Sequence, residues 1–192
     1  VFHEFGHAVN HLLLDGPVPN CSGLEFMPLE RLECLSMWFE KWVYHPEFSR
    51  RLGLAGDRAR SVRLSQAAKM AEYRRTYLER AVTAWLDFEC HRRAEGGLRE
   101  IFAELDSRYG VADHVSVEDF ASYFAWPMFM ANPGANFSYL WGAAWSCETF
   151  EPALGCGLDK LAEGGSLPDA FQPCLRAGAP MAAPDPCAVF RF

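Results

Sequence analysis

The chain has 192 residues, half of them apolar and 14% aromatic, which supplies a folded core and excludes a disordered segment. Its net charge of −7 argues against nucleic acid as a partner, because such binding rests on clustered cations. No apolar run approaches the roughly 20 residues that span a bilayer, so no membrane partner is expected.

Seven cysteines make an odd count with no C-x-x-C, which fits a reducing cytoplasm better than a disulfide-stapled secreted domain. The chain opens on Val1 rather than Met and runs directly into a chemistry-bearing segment. The expectation is therefore the C-terminal part of a longer protein.

Residues 1–14, VFHEFGHAVNHLLL, read as a helix that is apolar nearly all round and hence buried. Within it, His3-Glu4-Phe5-Gly6-His7 is H-E-x-x-H. At 3.6 residues per turn, His3 and His7 project from one face and can share a zinc ion, with the Glu4 carboxylate beside the open coordination position. A bare H-E-x-x-H is short and also arises as two surface histidines. The apolar flanks count against that, since buried imidazoles and a buried carboxylate need partners. Gly6, unfavourable in a helix interior by about 1 kcal/mol, suggests close approach by a substrate or another backbone.

A catalytic zinc site takes a third protein ligand from another element. Beyond a Pro- and Gly-rich loop, residues 29–44 read as a helix, and Glu25, Glu30 and Glu33 are the acids in range. Spacing favours Glu33. Glu33, Ser36 and Glu40 share a face over two turns, so Glu40 can take a ring N–H of a zinc-bound histidine, whereas the residue seven after Glu30 is Met37.

Residues 61–93 form a long helix with an apolar stripe through Leu64, Ala68, Leu78, Trp85 and Phe88. Arg74, Arg75, Arg80, Arg92 and Arg93 make it locally basic; a peptide-carboxylate site is conceivable there, but a solvated face laced with Glu72, Glu79 and Glu89 is favoured. His91 near its end suits the negative end of the helix dipole. Residues 98–110 make a short amphipathic helix stopped by Gly110. Another helix starts at Ser116 and is interrupted by Pro127. Residues 137–161 are helical again, and the tail from Gly164 is loop with one short helix near 168–176. No strand pair stands out, so the fold class is all-α.

Phe2 to Ala8, then Glu33-Cys34-Leu35-Ser36 through Glu40, resemble the thimet oligopeptidase and oligoendopeptidase F family of zinc metallopeptidases. Trp42-Val43-Tyr44, Pro46-Glu47 and Tyr139-Leu140-Trp141 resemble the family's continuation, and Gly164-Gly165-Ser166, Ala177-Gly178 and Met181 its closing segment. The resemblance implies a multi-helix, zincin-like catalytic domain in which the H-E-x-x-H helix packs on a Glu-bearing helix. Residues 1–192 would be the C-terminal part of that domain, with the missing N-terminal portion of the same protein as the other wall of a channel.

It further implies endopeptidase action on short peptides. His3, His7 and Glu33 become ligands to one zinc ion per chain and Glu4 the general base. Glu40 becomes the partner of a ligating histidine, and Tyr139 the phenol that hydrogen-bonds the tetrahedral intermediate.

The chain departs from the family in two places. Asn10, followed by His11, stands where a His is common. Residues 126–141, WPMFMANPGANFSYLW, have no His and one Tyr where the family has several Tyr and a substrate-facing His. Asn132 and Asn136 could donate hydrogen bonds instead, although Asn in a Pro-Gly turn is more often structural. The alternatives are a zinc hydrolase with Glu25 or Glu30 as third ligand, a weakened or inactive homologue that binds metal and peptides without cutting, and a structural domain with a chance motif.

Overall fold

The computed structural model describes residues 1–14, 24, 27–93, 95–123, 125 and 131–156. Among them every regular element is helical: α1 (Phe2–Leu13), α2 (Leu29–Trp42), α3 (Pro46–Arg51), α4 (Gly56–Arg92), α5 (Leu98–Tyr109), a 3₁₀ turn (Val111–Asp113), α6 (Val117–Tyr123) and α7 (Phe137–Cys156). The fold class is all-α. No helix among the described residues is long and apolar enough to cross a membrane. The chain divides into two compact units, Val1–Arg74 with Trp141–Phe192, and Arg75–Leu140.

In the first unit, α1 packs on α2. The sequence reads α1 as buried nearly all round, and the structure corrects this. Only Gly6 and Asn10 are buried, while Phe5, Leu12 and Leu13 are exposed. The cause is the narrowness of the contact. A Cβ on Gly6 would stand 2.5 Å from the Ser36 Cα, so the two backbones touch closely there, with Phe2 and Val9 half-buried beside the contact, while Leu12 and Leu13 face outward. The close approach anticipated at Gly6 is thus made by another backbone.

Helix α2 is the buried one. Residues Glu33 to Trp38 are buried without a break, and Lys41 follows. Cys34, Leu35, Trp38, Trp145 and Phe150 form its core cluster, with Val9, Phe39, Trp42 and Trp141 packed against it. Trp38, Trp42 and Phe150 meet edge to face at centroid distances of 4.8 to 5.8 Å, a geometry worth roughly 0.5–1.5 kcal/mol per pair beyond area burial.

Lys41 ends inside this unit, 1% exposed. Its Nζ donates to Ser146 Oγ at 2.6 Å, Tyr73 Oη at 3.1 Å and the Met37 carbonyl at 3.3 Å. Burial pushes its pKa below the ordinary lysine value, with nearby Cys147 and Cys34 opposing.

In the second unit, Val82, Leu86, Ile101, Phe102, Leu105, Val111 and Phe120 form the core. Helix α5 begins where the Glu100 carboxylate accepts the Gly97 N–H, and ends at Gly110, whose φ of 62° suits a residue without a Cβ. Asp87 is fully buried. It accepts the backbone N–H of Gly134 (3.1 Å) and Asn136 (3.2 Å) and the Asn136 side-chain amide (2.7 Å), and His91 Nδ1 lies 2.9 Å away. The turn before α7 is thereby tied to α4. One N–H of the Asn136 amide is engaged inside the protein, which fits the structural reading of this turn asparagine.

Several boundaries shift from the sequence reading. The long helix begins at Gly56 rather than 61, the second ends at Trp42 rather than 44, and α6 stops at Tyr123. Helix α3 was not foreseen. The expected helix near 168–176, and Glu25, lie outside the described residues.

Candidate metal centre

Helices α1 and α2 bring three electron-rich atoms together. His3 Nε2 and His7 Nε2 are 3.1 Å apart, and Glu33 Oε2 lies 3.4 Å from the first and 3.9 Å from the second. Two donors on one tetrahedral ion with bonds of about 2.0–2.1 Å stand roughly 3.3 Å apart, so the observed separations suit such an ion. Two imidazole nitrogens and a carboxylate are also a donor set that zinc takes.

The proton assignment supports this. His3 Nδ1 is 2.8 Å from Glu40 Oε1, and an ionised carboxylate only accepts, so Nδ1 carries the hydrogen. The Nε2 of neutral His3 then has its lone pair toward His7 and Glu33. Three such atoms repel one another unless a cation or proton sits among them. The Glu40 hydrogen bond raises the His3 pKa, while burial opposes it; the charges of Glu40, Glu33 and Glu4 add to the rise. His7 Nδ1 is buried without a hydrogen-bond partner among the described residues.

Glu33 is set from two sides. The Ser36 hydroxyl lies 2.9 Å from its carbonyl and 3.1 Å from its Oε2. A Cβ on Gly142 of α7 would stand 2.9 Å from the Glu33 Cβ and 3.1 Å from the Glu30 carbonyl. Gly142 was missed in the sequence, although a glycine inside a 20-residue helix was the available signal. Gly142→Ala should force Glu33 aside and weaken zinc binding roughly 10–100-fold, as loss of an outer partner of a metal ligand does. Competition against a chromophoric chelator measures it. Unchanged affinity would mean that Glu33 is not held by this contact.

The remaining candidates separate. Glu4 follows His3 on α1 with an exposed side chain, outside the three-atom cluster. Glu30 is half-buried on α2 and also outside it. Tyr139 belongs to the second unit, where the Arg80 guanidinium carbon lies 5.0 Å from its ring centroid. Asn10, where the family commonly has His, is fully buried. Its amide donates to Met27 Sδ at 3.5 Å, and its Oδ1 has no partner among the described residues.

The sequence model of Peptidase family M3 matches residues 1–167. The chain belongs to peptidase family M3. Two curated relatives from Arabidopsis thaliana, "Probable cytosolic oligopeptidase A" and "Organellar oligopeptidase A, chloroplastic/mitochondrial", are each 24% identical to this M3 chain over 171 residues. Those alignments cover 84% of this chain and 24% and 22% of the relatives. "Oligopeptidase A" of Salmonella typhimurium is 36% identical over 47 residues, which is 24% of this chain and 7% of that protein. The M3 chain therefore spans about a quarter of the length of the Arabidopsis relatives it matches. No solved structure matches it.

Proposed function

We propose that this chain carries the metal centre of a zinc-dependent oligopeptidase, an endopeptidase that hydrolyses short peptides. The observation that carries the reading is the convergence of His3 Nε2, His7 Nε2 and Glu33 Oε2 in a member of peptidase family M3. One zinc ion held there supplies a Lewis acid for the scissile carbonyl and lowers the pKa of a water. Glu4 takes the proton of the attacking water and returns it to the leaving amine. Tyr139 donates a hydrogen bond to the developing oxyanion. Glu40 holds His3 in the tautomer that leaves Nε2 available.

Residues 1–192 act in this reading as the C-terminal part of the catalytic domain. The exposed Phe5, Leu12 and Leu13 of α1 form a surface for the rest of the same protein to cover. Substrates are peptides, and nucleic acid and membranes are not partners. Cys34, Cys90 and Cys147 are thiols, which supports a reducing, cytoplasmic setting.

The second reading is an inactive homologue that binds peptides without cutting them. What favours it is that residues 126–141 have no His and one Tyr, and that the Asn136 amide gives one of its two N–H groups to Asp87. A quenched fluorescent peptide assay on the full-length protein decides between them. Cleavage is expected, with loss on chelation and recovery on adding one equivalent of zinc. Cleavage that survives chelation defeats the metal mechanism; zinc and peptide binding without cleavage establishes the second reading.

A further inference from the structure

We propose that Arg80, flanked by the rings of Tyr77 and Tyr139, is a subsite for a peptide carboxylate. Arg80 lies on α4 in the second unit and is half-buried. Its guanidinium carbon is 5.9 Å from the Tyr77 ring centroid and 5.0 Å from that of Tyr139. Its Nη1 is buried and has no hydrogen-bond acceptor among the described residues. A buried donor on a permanent cation is costly to leave unpaired.

Four other arginines of this unit are paired with carboxylates, and Arg108 is exposed to solvent. Arg75 meets Glu79 at 3.2 Å, Arg92 meets Glu89 at 2.7 Å, Arg93 meets both Glu89 and Glu104 at 2.7 Å, and Arg99 meets Glu118 at 2.9 Å. The nearby glutamates are thus engaged elsewhere, while Arg80 has aromatic faces and no carboxylate among the described residues.

This arrangement selects the ligand chemistry. Ring faces hold the planar guanidinium in one orientation and tolerate its charge, since it is weakly hydrated. The fixed fork then matches a carboxylate with two parallel N–H bonds. The inference rests on the peptidase reading in one respect: that reading makes the ligand a peptide, which carries a carboxylate of its own. The carboxylate is either the peptide's C-terminus or an acidic side chain, and both present the same two oxygens.

The test measures binding apart from cleavage. A fluorescein-labelled heptapeptide is prepared as the C-terminal acid, as the C-terminal amide, and as an amide with one internal Asp. Anisotropy titrations use the full-length, zinc-loaded protein with Glu4→Gln, alone and combined with Arg80→Gln or Arg80→Lys. Where Arg80 is present, one carboxylate-bearing peptide should bind roughly tenfold or more tightly than the plain amide. Tighter acid identifies the C-terminus, and tighter Asp-amide a side chain.

Arg80→Gln should abolish the difference. Arg80→Lys, which keeps the charge but not the fork and serves alone if the Gln variant does not fold, should retain only part of it. Equal binding of all three peptides by the Arg80 protein overturns the proposal. So does a difference that survives both substitutions.

Cleavage is scored separately on the protein with Glu4 intact. Cutting without any carboxylate preference sinks the subsite alone. A preference without cutting sinks the peptidase reading and leaves the subsite standing.

Discussion

Glu4→Gln in the full-length protein is expected to keep its zinc and to lose catalysis, with kcat falling on the order of 10²–10⁴-fold. The amide is nearly isosteric with the carboxylate but takes up no proton at neutral pH, so the attacking water loses its base. Retention of zinc follows from geometry: the three converging donor atoms come from His3, His7 and Glu33, and the Glu4 side chain is exposed outside them. Elemental analysis beside a turnover measurement reads both halves. A variant that cuts peptides at the normal rate would remove Glu4 from the chemistry. One that loses its zinc would make Glu4 part of the cradle instead.

The second large effect concerns Glu33→Gln. The substitution preserves shape and the oxygen that faces Ser36, but removes the single negative charge among the donor atoms. The side chain is only 8% exposed, so solvent does little to compensate. Zinc affinity should fall by at least the roughly 10–100-fold expected when an outer partner of a ligand is lost. Glu30→Gln, one turn earlier on the same helix but outside the cluster, should leave affinity unchanged. Competition titrations on both variants make the comparison. If the Glu30 variant is the one that loses zinc, the third ligand has been misassigned.

The geometry of the candidate site was legible where it depends on local periodicity. Spacing of four puts the imidazoles of His3 and His7 on one face, and spacing of seven puts Glu33 and Glu40 on another, so a single helix–helix contact brings them together. What depends on the neighbour was not legible. The apolar circumference of α1 looked like a buried helix because hydrophobicity says nothing of which residues find a partner. Lys41 carries a surface residue's chemistry yet ends beside Ser146, more than a hundred positions away in sequence. Gly142 signals only a weak helix position until the Glu33 Cβ is seen beside it. Arg80 sits in a run of charge that reads as a solvated face, and only side-chain placement separates it from its paired neighbours.

The two close approaches of α2, at Gly6 and at Gly142, also bear on how this protein can change over generations. Every amino-acid-altering single-base change of a glycine codon introduces a Cβ, and at both positions that atom meets main chain or the stem of Glu33 at a distance that forces movement. Amino-acid-altering neighbours of both codons therefore disturb a helix crossing. Sequence change at these two crossings is more constrained than on the exposed faces of the same helices.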